Sequence, residues 1–112
     1  MQKIGQGNVT SGQGCQGTLR VVESIPEVLQ LMKEDLSEVV VFTREASATA
    51  VTPLFPKIKG LVCTLGGATS HLAIVAREFN LACIMGSDIT YDGELDGRTV
   101  NFNSDGEIFL ET

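Results

Sequence analysis

Positive charge is scarce in this 112-residue chain, where 8 Lys and Arg stand against 14 Asp and Glu for a formal net charge of −6. Nucleic-acid affinity comes mainly from clustered cations that release counterions, so a phosphate-backbone binder is excluded as a reading. Long apolar runs are also missing. Runs such as Val39-Val40-Val41-Phe42 and Leu81-Ala82-Cys83-Ile84-Met85 are far too short to cross a bilayer, and Met1 to Gly7 contains no apolar leader core, so no membrane association is expected and the cytoplasm is the default location. The three cysteines, Cys15, Cys63 and Cys83, form no C-x-x-C pair, and at least one must stay unpaired in any intramolecular scheme. Reduced thiols fit a cytosolic protein. Cys63 and Cys83 lie in apolar stretches, where a free cysteine acts as a small hydrophobe. The acidic residues Asp88, Asp92, Glu94 and Asp96 miss the spacing of a calcium loop and read as turn formers, so no metal site is expected in this chain.

The length suits one domain, and 43% apolar residues in short, regularly spaced blocks suffice for a core without disulfides or structural metal. The first seventeen residues are rich in Gly and Gln and read as turns and short strands. Thr18 to Glu23 alternates as a strand. Ser24, Pro26 and Glu27 then set up a helix to about Glu34, with Ser24 as N-cap and Val28, Leu29, Leu31 and Met32 as its apolar face. Glu38 to Thr43 is almost uninterruptedly apolar, the pattern of a mid-sheet strand covered on both faces, and Leu61 to Thr64 repeats it. Between them, Arg44 to Lys59 reads as a loop with one short helix. Asp92-Gly93, Asp96-Gly97 and Asp105-Gly106 are turn signals around an antiparallel C-terminal hairpin.

The single histidine, His71, follows Gly66-Gly67-Ala68-Thr69-Ser70 and opens a short amphipathic helix. A strand, a glycine pair and a helix start together gather unpaired backbone N–H groups, and the helix dipole adds about half a positive charge, so the point attracts phosphate. With Ser70 as N-cap, His71 takes the first helical position and its imidazole is expected over the helix end. The neutral imidazole that the positive end favours is the form that attacks phosphorus. Gly66 and Gly67 allow close backbone approach to phosphoryl oxygens, and Thr69 and Ser70 offer hydroxyl donors. The same hexapeptide also suits an ordinary capped turn with a surface histidine. Arg77, six residues along the helix, lies about 9 Å further on and roughly 120° round, so it is expected to dock the helix or meet a partner, not to clamp phosphate.

The run Gly66-Gly67-x-Thr69-Ser70-His71-x-Ala73-Ile74-x-Ala76-Arg77-Glu78 resembles the signature of the phosphohistidine, or swivelling, domain of phosphoenolpyruvate-utilising enzymes, a family that includes pyruvate phosphate dikinase, phosphoenolpyruvate synthase and Enzyme I of the sugar phosphotransferase system. The likeness reaches Gly12-x-Gly14-x-x-Gly17, Arg44, Pro53-Leu54 and Gly86, essentially the whole chain. It departs at Leu81-Ala82, Leu72, Ser47-x-Thr49 and Cys63-Thr64-Leu65, positions that bear on gating and on the donor. The resemblance implies an α/β fold, a swivelling β/β/α domain over residues 1–112 with a central sheet, flanking helices and the C-terminal hairpin. It also implies a phosphotransferase in which His71 accepts phosphate at one active site and delivers it at another, through Nε2, supported by Gly66, Gly67, Thr69 and Ser70. No G-x-x-x-x-G-K-[ST] loop occurs, and the chain has no room for a barrel of roughly 250 residues, so turnover alone is not expected. An ATP-grasp-like nucleotide-binding partner and a phosphoenolpyruvate/pyruvate-type or other acceptor partner would supply ATP or phosphoenolpyruvate and Mg²⁺, with no cofactor held by this chain. A non-catalytic regulatory module and a fragment excised from a larger enzyme are the alternatives. Met1 and an end at Thr112 just after the last strand suit a free-standing polypeptide.

Overall fold

The structure is a computed structural model that describes residues 2–12, 14–22, 25–43, 53–64, 71–89 and 95–111, with Ser11, Ile25, His71 and Leu72 described by backbone alone. The element order is β1 (Gln2–Ser11), β2 (Cys15–Val21), α1 (Ile25–Leu31), β3 (Val39–Thr43), β4 (Gly60–Cys63), α2 (His71–Glu78), β5 (Ala82–Ile89), β6 (Thr99–Phe102) and β7 (Glu107–Leu110). The strands pair in the order β1-β5-β4-β3-β2-β6-β7 and close into a barrel through an antiparallel β7–β1 ladder. Inside that ring, β2, β3, β4 and β5 run parallel to one another, in registers such as Thr18↔Val39, Thr43↔Cys63 and Leu61↔Cys83.

The parallel strands show why their sequences lack polar alternation. Every residue of β3 and β4 is buried. Odd-numbered positions, Val39, Val41, Leu61, Cys63, Cys83 and Met85, join a cluster with Val28 and Leu31 of α1 and Ala73 and Ala76 of α2. Even-numbered positions, Val40, Phe42, Val62, Ala82 and Ile84, fill the barrel interior with Ile4, Leu19, Val100, Phe102, Ile108 and Leu110. Each fully buried Val, Leu, Ile or Phe contributes about 1.5–3 kcal/mol, so strands sealed on both faces carry much of the stability. Cys63 and Cys83, at 1% and 0% exposure, are packing residues as expected, and none of the three cysteines is in a disulfide. No helix among the described residues is long and apolar enough to cross a membrane.

The expected central sheet with flanking helices is corrected to a closed barrel whose two helices share one apolar cluster against its outer side. The closure depends on β1, which was expected as turns and short strands and is instead the ten-residue strand joining β5 to β7. Three register shifts bend it between those partners. Its glycines mark close approach, not breaks: a Cβ on Gly5 would lie 2.5 Å from the Asp88 carbonyl, and one on Gly7 would overlap Ile84 Cγ2.

Helix α1 stops at Leu31, short of the expected Glu34. Its last turn tightens through Lys33 N–H to Gln30 O and Glu34 N–H to Leu31 O, and Lys57 Nζ donates to the Met32 carbonyl at 2.8 Å. Leu29 is 57% and Met32 41% exposed, so only Val28 and Leu31 of the expected apolar face reach the core. The short helix expected before Gly60 is met, within the described residues, by 3-10 structure at Pro53 and Leu54 that runs on as a turn to Lys57; Ser24 and Arg44 to Thr52 lie outside them. The C-terminal hairpin forms as β6 and β7, turning at Asp105-Gly106 with Gly106 at φ 81°.

Burial pushes the Cys83 thiol from its ordinary 9.0 up to about 11. The fold holds the protonated thiol more tightly than the unfolded chain does, so this contribution is complete below pH 9.0 and is lost as pH rises toward 11. Urea unfolding of the wild type should lose about 1.4 kcal/mol per pH unit in that window through this group, and Cys83→Ala should lose correspondingly less. Equal slopes in the two proteins would refute the assignment.

Candidate functional site

The candidate site is built on the β4-to-α2 crossover. β4 ends at Cys63, the Thr64 N–H donates to the Thr43 carbonyl at 3.3 Å, and α2 begins at His71. The expected first helical position of His71 is therefore where the helix starts. Gly66, Gly67, Thr69 and Ser70 lie outside the described residues. At eight residues α2 spans about 12 Å, and its N-terminus carries the positive end of the dipole.

Small residues and a well-made C-terminus hold α2 in place. Ala73 and Ala76, both 0% exposed, bring the helix backbone close to the sheet. Ile74 at 44% and Glu78 are exposed on the opposite strip, and helical spacing puts position 71 on that strip. Arg77 Nε donates to the Thr10 carbonyl of β1 at 3.1 Å, which bears out its reading as a helix-docking charge. At the far end Asn80 adopts φ 54°, with Asn80 N–H to Arg77 O at 3.1 Å and Leu81 N–H to Ala76 O at 3.0 Å. That pair of bonds is a Schellman motif, completed by Leu81 packing in the same cluster as Ala76. Phe79, 47% exposed, meets Phe55 edge to face at 6.2 Å.

Two hydroxyls that sequence reasoning passed over stand at the carboxyl ends of the parallel strands. Ser87 Oγ of β5 donates to the Cys63 carbonyl at 3.0 Å. Thr43, the last residue of β3, is 0% exposed, and its Oγ1 has no hydrogen-bond partner among the described residues. The only hint in sequence is a polar residue ending an apolar run.

Asp96 Oδ1 accepts from the Val21 N–H at 2.8 Å and faces Arg20 Nε at 3.6 Å, the turn role expected of it, while Asp92 and Glu94 lie outside the described residues. A cleft of about 370 Å³ between β2 and α1 is lined by Arg20, Glu27, Gln30 and Asp96 among others. Its cation, Arg20, is already held by Glu34 at 2.9 Å. Among the described residues no three His, Cys, Asp or Glu side chains gather to hold a metal.

Residues 36–104 match the family model of the PEP-utilising enzyme, mobile domain. A rifampicin phosphotransferase of Bacillus subtilis is 36% identical over 67 residues, which are 59% of this chain and 8% of that protein. The chain thus spans less than a tenth of that relative's length. Among solved structures, the N-terminal domain of Enzyme 1 - Nitrogen superposes with a TM-score of 0.52 at 25% identity over 69% of this chain and 32% of that one. Aconitase X of Thermococcus kodakaraensis matches all of both chains with a TM-score of 0.66 at 14% identity, a likeness of fold alone.

The Schellman geometry at Asn80 yields a stability test. Asn80→Ala should destabilise the chain by about 1 kcal/mol in urea unfolding, since alanine resists the left-handed conformation. An unchanged midpoint would mean that the α2 end is not held as described.

Proposed function

Because the chain belongs to the mobile-domain family of PEP-utilising enzymes, we propose that it is a phosphoryl carrier of a phosphotransferase, with His71 as the residue that takes up and hands on the phosphoryl group. One observation carries the reading: the sole histidine of the chain opens α2, the helix that follows a parallel strand buried on both faces. An unpaired imidazole nitrogen attacks phosphorus as the donor's P–O bond breaks. The bonding electrons leave with the donor oxygen, and the proton on the other ring nitrogen passes to a base. The positive end of α2 and the N–H groups of its first turn then stabilise the phosphoryl dianion, with Gly66, Gly67, Thr69 and Ser70 as its immediate surroundings. The second transfer reverses the polarity, and the acceptor oxygen displaces the imidazole.

The donor is ATP or phosphoenolpyruvate on a partner, with Mg²⁺ held there and an ATP-grasp-like domain as the nucleotide site. The acceptor is of phosphoenolpyruvate/pyruvate type or a small-molecule hydroxyl, a class suggested by the rifampicin phosphotransferase relative. The short span of this chain against that relative supports assigning turnover to further domains or subunits. Barrel closure supports a swivelling role: a sheet with no free edge travels between sites without exposing unpaired backbone. The free cysteines favour a reducing, cytoplasmic setting.

The test is phosphotransfer at neutral pH with radiolabelled ATP or phosphoenolpyruvate, in an extract shown competent on a control carrier. Acid-labile label is expected on the wild type and none on His71→Ala, whose unfolding free energy stays within about 0.5 kcal/mol of wild type. Label retained by His71→Ala, or no label on either protein, would overturn the reading, the latter in favour of a docking module.

A further inference from the structure

The solvent face of α2 continues from the residue that opens it. At 3.6 residues per turn, Ile74 lies about 4.5 Å along the helix and about 60° round from position 71, and Glu78 about 10.5 Å along and about 20° round. Ala73 and Ala76 hold the opposite face against the sheet, so these three positions share the outward strip. A protein that brings a phosphoryl group to His71 must lay its own active site over that strip. A standard interface covers about 800 Å² of each partner, a disc of roughly 16 Å radius, so one centred on position 71 takes in both Ile74 and Glu78. A single exposed isoleucine is ordinary on a protein surface, but Ile74, 44% exposed, stands within one helical turn of the accepting position. Glu78 is exposed at the last helical position, where the negative end of the dipole disfavours a carboxylate and a cation brought from outside would offset both charges.

We propose that Ile74 and Glu78 are the contacts by which the donor-bearing partner docks on α2, Ile74 entering an apolar recess of that partner and Glu78 pairing with a Lys or Arg at its rim. The inference rests on the carrier reading above and adds the surface on which the partner sits. Charge selects the donor side: ATP and phosphoenolpyruvate carry more negative charge than a pyruvate-type or hydroxyl acceptor, so the donor's site is the more cationic of the two that His71 visits and the better match for Glu78.

Two phosphoryl sources separate docking from chemistry. Potassium phosphoramidate reaches the imidazole without a protein: its P–N bond breaks as the ring nitrogen bonds phosphorus, and the departing ammonia takes up the ring proton. The competent extract instead delivers label from ATP or phosphoenolpyruvate through the partner, at chain concentrations where the labelling rate still rises with concentration. Ile74→Gln and Glu78→Lys should be labelled about tenfold more slowly than wild type in the extract, yet react with phosphoramidate at the wild-type rate, while Ile74→Leu keeps both rates. Asp105→Lys, the same charge change in the exposed β6–β7 turn, should match wild type with both sources. Added salt should slow extract labelling of the wild type more than that of Glu78→Gln. Equal extract labelling of wild type, Ile74→Gln and Glu78→Lys would overturn the docking face. An equal loss with phosphoramidate would overturn it too, because the residues would then act on His71 or on the fold. Slowing by Asp105→Lys as large as that by Glu78→Lys would replace the Glu78 pairing by an effect of net charge. A loss confined to transfer from the phosphorylated chain onward would give the face to the acceptor partner and overturn the donor assignment. Failure of the wild type to take phosphate at His71 from either source would instead count against the carrier reading.

Discussion

The constraint on which the rest of this structure depends is that β3 and β4 have no solvent face. Val40, Val41, Leu61 and Val62 are all 0% exposed, so adjacent residues must be covered from opposite sides. The barrel interior covers the even positions and the two helices cover the odd ones. Removing either cover would expose a row of branched apolar side chains. This requirement makes the crossovers obligatory, since parallel neighbours can be joined only by a segment that returns over the sheet. α2 packs through alanines because its backbone must lie close enough to close that lid.

Sealing both faces confines polar chemistry to the strand ends. Four parallel strands point their carboxyl ends the same way, and α2 starts at that end with the positive pole of its dipole. Arg77 on the Thr10 carbonyl and the Asn80 terminus fix the helix at its far end, so the orientation of its first turn is set by contacts remote from His71. That arrangement suits a carrier: a rigid unit presents one residue, and reaction partners are supplied from outside. The net charge of −6 fits the same role, because sites that handle nucleotides or phosphorylated acids are cationic and attract an acidic surface.

Much of this was legible in the sequence where local chemistry and tertiary environment agree. The unbroken apolar runs announced two-sided strands, Asp105-Gly106 announced the hairpin turn, and the residues around His71 announced a helix beginning there. What escaped was set by neighbours distant in sequence. β1 reads as broken by Gly5 and Gly7, but both glycines answer to β5 pressing against them, through Asp88 and Ile84. Barrel closure follows from that same strand and was therefore missed with it. The end of α1 is capped by Lys57 donating to the Met32 carbonyl, a contact invisible from the helix's own residues.

The central claim is that phosphate resides on the residue that opens α2. Its most direct test is tandem mass spectrometry, at neutral pH and without acid steps, of the chain recovered from cells that produce it. The account predicts a phosphoryl mass increment confined to the peptide containing His71 and lost on brief acid treatment. An acid-stable increment on a serine or threonine would contradict it, as would an unmodified His71 peptide from cells in which a control phosphohistidine protein is recovered phosphorylated.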